Sequence, residues 1–599
     1  MASRKQKGRK AARRRHHQET TRAPSSDPIT GTVEQLRSLQ ARAERVLEVR
    51  QVKPSWLKRP AIRVRLDTIG IDQAERGLAV SDTEEIYVAF EEDYPNRPPR
   101  VFVDEDERFE GFPHVICARE LCIYLNPQRE WHPTFGADQI VDRVFRWFEE
   151  AASGRFDSRT SLFHAVGGAN PATELSVTSV ILDNPPSDMS TTCHIALVER
   201  SATRIDLVGW RRAMRASGET NGLAFFVPSP LPHGLGGNTE IIAHRIEQAG
   251  GVSGQEVLSQ IQRAAAVSRT GRPIFLCLVV THPTEIDLPT VVLGKIDSAF
   301  ADRLRSRDAG LTPRETRIDW MQISDERATL TTPRDNLRPA AAFRGASVEI
   351  WGCGGVGSWI AEFIARARPT KLVLRDPAFV HRGLLVRQNY TEQDVGEFKA
   401  SQLALRLSSI SDTTDVSVGS ASALDVLNQG RIPDCDLIID ATVNETVAFR
   451  LDEIAAVTKD RPLLAQVATD VGSGTLGLVV VGGDDVPGGP STVDLTIAEQ
   501  ILADGALEPY HVFWSPPSFG AELIPSPGCS VPTYHGSAAD LAATAGSMVS
   551  LLGQQLVAPV SGVHLFAAPH SGTLPCHRFE PFTITGQFPD STRSGESTK

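Results

Sequence analysis

The stretch IWGCGGVGSW, Ile350 to Trp359, limits the fold of this chain more than any other. A short apolar run leads into Gly352, Gly354, Gly355 and Gly357, and a helix-like GSWIAEFIARA follows. That order suits a strand turning sharply into a helix, where bare backbone amides and a helix N-terminus meet phosphate. The segments after it alternate: KLVLRD and CDLIIDAT read as strands, FKASQLALRLSSI as a helix, RPLLAQVAT as another strand. Strand–helix alternation predicts a mostly parallel, doubly wound sheet. Asp376 ends the strand after the loop, where an acid can hold ribose hydroxyls. NAD and ATP both carry that ribose, so loop and acid leave the ligand open.

The next stretch separates the two. Arg387, Gln388 and Asn389 follow the ribose acid, and Lys399 opens a helix. Hydride transfer has no use for cations gathered on a phosphate chain. Acyl activation does, because charge builds on the α-phosphate and the departing pyrophosphate. An NAD-linked oxidoreductase is thus the weaker reading, and it leaves Lys399 and the cysteines below without a role.

GCGGVGS, RD, RQN, G-x-x-KA and DLIIDAT, taken together, resemble the ThiF/MoeB and ubiquitin-activating adenylation fold over about residues 335–580. The resemblance implies ATP and Mg2+ as cofactors and adenylation of the C-terminal glycine of a ubiquitin-like protein. It assigns phosphate binding to Gly352, Gly354, Gly355 and Gly357, ribose to Asp376, and triphosphate to Arg387, Gln388 and Lys399. It gives the metal to Asp440, and Val443 stands where relatives carry a second acid. It also implies a homodimer. The paired CxxC zinc motifs of many relatives are missing, and no His-x-His…Asp peptidase motif is present.

Eight cysteines, at 117, 122, 193, 277, 353, 435, 529 and 576, form no CxxC pair, which disfavours a four-cysteine zinc site. Scattered cysteines without a secretory signal suggest reduced cytoplasmic thiols. Cys529 lies in SPGCSVPT ahead of a small-residue helix, where a thiol can ionise and attack. In the resembling family such a cysteine takes the acyl group from the adenylate as a thioester. Cys353, inside the glycine loop, is expected to pack beneath the nucleotide.

The N-terminal region offers a second thiol. YPNRPPRVFV, FPHV, ELCIYL and EWHP, closed by a helix, resemble the ubiquitin-conjugating fold over about residues 30–152. The resemblance makes Cys122 the nucleophile, ahead of Cys117. Tyr94, Pro95, Pro98, Pro99, Trp131 and Pro133 carry the flanking motifs. His114 replaces the usual Asn, and can donate a hydrogen bond or act as a base on the attacking amine.

The expected architecture is therefore an α/β and α+β multidomain chain. Residues 1–29 are expected to be a disordered basic tail, 30–152 a ubiquitin-conjugating-like α+β domain, and 153–175 a polar, Gly-rich linker. An α/β adapter spans 176–330, a ThiF-like Rossmann-type adenylation domain 331–585, and a disordered tail 586–599. Several domains suit 599 residues. Within the adapter VTSVILD, CHIALVE, LAFFVPS and RPIFLCLVVTHP read as strands, with no catalytic constellation. The 153–175 linker rests on its Gly and polar content. VEQLRSLQARAERVL, with Val33, Leu36, Leu39, Ala43, Val46 and Leu47, reads as one helix.

Eight Lys and Arg crowd the first 17 residues; without them a formal charge of −11 becomes −19. The acidic body is a poor nucleic-acid binder, and only the tail offers such a contact. No apolar run is long enough to span a membrane. The combination resembles bacterial ubiquitin-like conjugation enzymes tied to antiphage defence, including those of CBASS systems. The partner this implies is a ubiquitin-like protein or a nucleotidyltransferase C-terminal tail, joined to a target amine. A non-catalytic scaffold is the other alternative, motivated by Val443 and His114.

Overall fold

The computed structural model describes residues 28–75, 77–104, 106–168, 179–183, 186, 192–211, 220–282, 288–306, 316–330, 334–515, 523–524, 531–532, 536–572 and 577–583. The chain divides into two compact units, residues 1–332 and 333–599.

The first unit begins with helix Pro28–Ala41. The expected helix through Leu47 stops there, because Ala43 and Arg45 adopt left-handed φ values of 51° and 60°. Val46 instead opens β1 (Val46–Val52) and is buried. The strands β2 (Ala61–Asp67), β3 (Thr83–Ala89), β4 (Arg100–Phe102), β5 (Val115–Ile116) and β6 (Glu120–Leu121) complete an antiparallel sheet, ordered β1-β2-β3-β4-β6-β5. Helix Ala137–Ala152 closes the layer. Its Ile140, Val141, Val144, Phe145, Trp147 and Phe148 recur at helical spacing and are all buried. The core of Leu36, Val64, Val101, Ile140 and Phe148 lies between sheet and helices.

The same unit holds a second, mixed sheet. Its strands are β7 (Ser179–Leu182), β8 (Thr192–Ser201), β9 (Arg204–Arg211), β10 (Thr220–Val227), β11 (Ile274–Val280), β12 (Thr290–Ile296), β13 (Asp319–Trp320) and β14 (Gln322–Asp325). They run in the order β13-β12-β11-β10-β8-β9-β7-β14. Helices Thr239–Gln248, Gly254–Val267 and Ser298–Arg305 accompany it. Every residue of β11 is buried, which explains its unbroken apolar sequence.

The polar linker expected over 153–175 is corrected in its described part. Residues Leu162–Val166 form a 3-10 turn with Leu162, His164, Ala165 and Val166 buried. The Leu231 N–H donates to the Ala165 carbonyl at 2.6 Å, and the Thr290 hydroxyl donates to the Leu162 carbonyl. On the other side the Cys117 N–H donates to the Gly167 carbonyl at 3.0 Å. The turn is thus a buried wedge within this unit. Its apolar SLFHAV block overrides the surrounding Gly and Ser.

In the second unit β15 (Ser347–Trp351) is central, with β16 (Lys371–Arg375) on one side and β18 (Leu437–Asp440) on the other, both parallel to it. Parallel β17 (Asp415–Val418) and β19 (Leu463–Thr469) extend the sheet. Antiparallel β20 (Leu476–Gly482), β23 (Gly562–Ala567) and β24 (His577–Pro581) finish it. A two-stranded ladder, β21 (Leu523–Ile524) with β22 (Val531–Pro532), stands apart. The strand order reverses about β15, so its C-terminal end is a topological switch point, where such sheets bind ligands. Among the described residues no helix is long and apolar enough to cross a membrane.

Candidate functional site

Two sites emerge, one in each unit. In the second, the glycine loop leaves β15 and helix Gly357–Arg366 begins at once. A Cβ on Gly357 would lie 1.9 Å from the Gly352 carbonyl oxygen, so only glycine permits this turn. Gly352 itself takes φ +85°, with the backbone of Ala441 and Thr442 within 3 Å of any added Cβ. A Cβ on Gly354 would meet nothing, so that side of the loop opens outward. Gly355 continues the loop and is buried.

The surrounding groups hold the loop in place. Asp376 accepts the Cys353 N–H at 2.7 Å and the Ala378 N–H at 2.8 Å. It pins the loop from just beyond the end of β16. The Tyr390 hydroxyl donates to the Cys353 carbonyl at 2.8 Å. Cys353 is fully buried, and burial raises its thiol well above the ordinary range. Arg387, Gln388 and Lys399 are all buried, and Lys399 opens helix Lys399–Ser408. The Gln388 side-chain oxygen is buried without a hydrogen-bond partner. Asn389 is structural: its amide donates to Glu362, which also pairs with Arg366 at 2.7 Å and Arg406 at 2.8 Å.

Asp440 ends β18, one strand from the loop. One carboxylate oxygen accepts the Thr442 N–H at 2.9 Å and the hydroxyl at 2.6 Å; the other is buried without a partner. Burial raises its carboxyl above the ordinary value, against those two bonds. An orphaned buried carboxylate oxygen beside a glycine cradle fits a nucleotide-bound cation. Val443 is exposed at φ +52°, uncommon for a β-branched residue. Cys529 lies outside the described residues.

In the first unit Cys122 follows β6 directly, and its N–H donates to the His114 carbonyl at 2.8 Å. It lines a cavity of about 440 Å3 together with His114, Glu130, Arg143, Trp147 and Asp157. Burial pushes its thiol up to about 11. Cys117 is more exposed, and its Sγ lies 3.4 Å from the Gly167 carbonyl oxygen. The proline and tryptophan motifs meet: the Trp131 indole N–H donates to the Pro95 carbonyl at 2.7 Å, and the Tyr94 hydroxyl bonds Thr32 at 2.7 Å.

His114 takes φ +61°, a left-handed conformation in which Asn and His are both enriched. It is buried, and burial with nearby His164 lowers its imidazole to about 4. His164 is the residue that sequence reasoning missed, because it sits in the expected linker. Its ring centroid lies 5.0 Å from that of His114, and burial lowers it likewise to about 4.

Residues 338–482 match the ThiF family, and residues 32–166 match prokaryotic E2 family A. The E2-type match lies N-terminal to the ThiF match, the arrangement of a bacterial E2-like/ThiF fusion. Similar solved structures include selenomethionine-labelled PaaA, at 18% identity over 41% of this chain and 75% of that one, with a TM-score of 0.30. Another is E. coli MccB with AMPCPP and MccA, at 14% identity over 41% of this chain and 66% of that one, with a TM-score of 0.28. No curated protein matches the chain.

Proposed function

We propose that this chain uses ATP to activate the C-terminal carboxylate of a ubiquitin-like protein, or of a similar nucleotidyltransferase tail, and transfers it to a target amine. The single observation that carries the reading is the pairing, in one chain, of a ThiF-type glycine cradle with an E2-type cysteine. Arg387, Gln388, Lys399 and Asp440 of the ThiF-type region are all buried, and the cysteine lines a cavity.

The carboxylate oxygen attacks the α-phosphorus and the bond to pyrophosphate breaks, leaving an acyl adenylate. Lys399 and Arg387 stabilise the charge that leaves with pyrophosphate. Asp440 would hold Mg2+, which supplies further charge neutralisation there. The Cys529 thiolate attacks the acyl carbon and AMP departs. The Cys122 sulfur then takes the acyl group by thioester exchange, and Cys529 is regenerated. A lysine amine attacks that thioester, loses a proton, and the Cys122 thiol leaves as the isopeptide bond forms. We assign this activity to a homodimer in the cytoplasm, serving antiphage defence.

The test incubates purified full-length chain with ATP, Mg2+ and a glycine-ended candidate partner. A reductant-sensitive adduct, lost in Cys122→Ala and Cys529→Ala, is the expected result. Failure to form any adduct while ATP still binds would favour a scaffold. Isopeptide product from Cys122→Ala but not from Cys117→Ala would overturn the nucleophile assignment.

A further inference from the structure

Cys122, His114 and His164 each offer a ligand atom within 4.8 Å of the other two. Among the described residues this is the group of three so arranged. The hydrogen bonds fix which ring atoms are available. The Thr160 hydroxyl donates to the Asp157 carbonyl at 2.6 Å, so its oxygen must accept from His114 Nε2–H at 3.1 Å. His114 Nδ1 is then a bare lone pair, and it is buried with no partner. His164 Nδ1–H donates to the Ser161 carbonyl at 3.1 Å, which leaves its Nε2 as a lone pair. Both rings are thus held in the tautomer a metal ligand needs, each by a backbone or hydroxyl partner, as around protein-bound zinc.

We propose that His114, His164 and Cys122 bind a divalent transition cation of the zinc type, which caps the thiol and holds the conjugating domain idle. The donor set is two imidazoles and one thiolate, which suits zinc and leaves a fourth position open. Zinc ligands at about 2.1–2.3 Å stand roughly 3.5 Å apart in a tetrahedron, closer than the 4.8 Å within which these atoms lie, so binding draws the three side chains together. On binding, the sulfur–metal bond forms and the thiol proton leaves to solvent. His282, buried beside the cluster with Nε2 3.3 Å from the Ser161 hydroxyl oxygen, stands outside the ligand set. Asp157, which lines the cavity, supplies a nearby negative charge. Capping as regulation rests on the acyl-carrying role of Cys122 proposed above; metal binding itself does not.

The full-length chain is stripped with chelator and titrated with Co2+ as a spectroscopic probe. A thiolate-to-cobalt charge-transfer band saturating at one equivalent is expected. Cys122→Ser should abolish it, and Cys117→Ser should retain it. His164→Ala and His114→Asn should weaken Co2+ binding by at least about tenfold, the lower end of what loss of a mere supporting partner costs. One equivalent of Zn2+ should slow iodoacetamide labelling of Cys122 at least tenfold, with recovery on adding EDTA. No charge-transfer band, or a band that survives Cys122→Ser, overturns the site. Zn2+ bound without slower labelling overturns the capping. A bound metal on a chain whose Cys122 never carries an acyl group overturns the proposed function instead, and leaves the site standing.

Discussion

In metal-free protein, alkylation of Cys122 should track a thiol two decades weaker in acidity than an ordinary one. Burial raises it from 9.0 to about 11, and the Arg143 charge offsets only part of that. At pH 8 an ordinary thiol is about 10% ionised, whereas one titrating two units higher is about 0.1% ionised, a hundredfold difference. The thiolate is the nucleophile, so iodoacetamide should label Cys122 about a hundredfold more slowly than an unperturbed cysteine. The rate should rise tenfold per pH unit between pH 7 and 10. Peptide mapping by mass spectrometry resolves Cys122 from Cys117 in the same sample. Metal-free protein matters, because a bound cation would ionise the sulfur outright. A labelling rate that reaches its plateau by pH 8 would refute the reasoning. It would mean that one imidazole takes the thiol proton and forms a thiolate–imidazolium pair in the resting site.

Gly357→Ala should abolish ATP binding and lower the melting temperature, since its Cβ would meet the Gly352 carbonyl at 1.9 Å; Gly354→Ala, into open space, should weaken binding with no loss of stability. Calorimetric titration with ATP and thermal melts of both variants check this, and full binding by Gly357→Ala contradicts it. The two depressed imidazoles set an acid limit on the first unit. Their folded values of about 4 lie below the ordinary 6.5, so their contribution is complete above pH 6.5 and is lost as pH falls through 4. Each is worth about 3 kcal/mol, and His164→Gln should flatten the urea-unfolding profile between pH 6.5 and 4. Val443→Asp should stabilise the second unit by about 1 kcal/mol, because a β-branched residue at φ +52° gives way to one that tolerates it. It should also strengthen Mg2+-dependent ATP binding; an unchanged denaturation midpoint would refute the strain. Glu362→Ala leaves the buried Asn389 amide without its acceptor while Arg366 and Arg406 keep their solvent, and should cost about 1–3 kcal/mol in chemical denaturation.

What was legible in the sequence was local. The glycine loop, helix Ala137–Ala152 and the alternation after Ala346 all state themselves in spacings of a few residues. The end of helix Pro28–Ala41 did not, because Ala43 and Arg45 carry no turn chemistry and take left-handed φ only to start β1. The 162–166 turn was hidden for a different reason. Five residues are too few to show a period, and its burial depends on Leu231 and Thr290, more than 60 residues away in sequence. Arg387, Gln388 and Lys399 form a set in the sequence because phosphate chemistry needs cations and hydrogen-bond donors near one glycine loop, and in the structure all three are buried. The orphaned oxygens of Gln388 and Asp440 are facts of packing alone.

The departure at His114 and the block SLFHAV look unrelated in sequence, yet they are one feature. A left-handed φ of +61° admits Asn or His equally, so the backbone does not choose between them. Burial argues against an imidazole, since its charged form is disfavoured there and an unbonded ring nitrogen costs energy. His114 therefore needs a reason for its bare Nδ1. The turn supplies one. Thr160 fixes the His114 tautomer, Ser161 fixes that of His164, and the same segment carries His164 to a ring-centroid distance of 5.0 Å. Two buried imidazoles and a thiol, each with a ligand atom within 4.8 Å of the other two, are costly unless something binds or reacts there. The wedge that buries Leu162 and Val166 is then what brings His164 to His114, and it is itself bonded to the second sheet of its unit through Thr290.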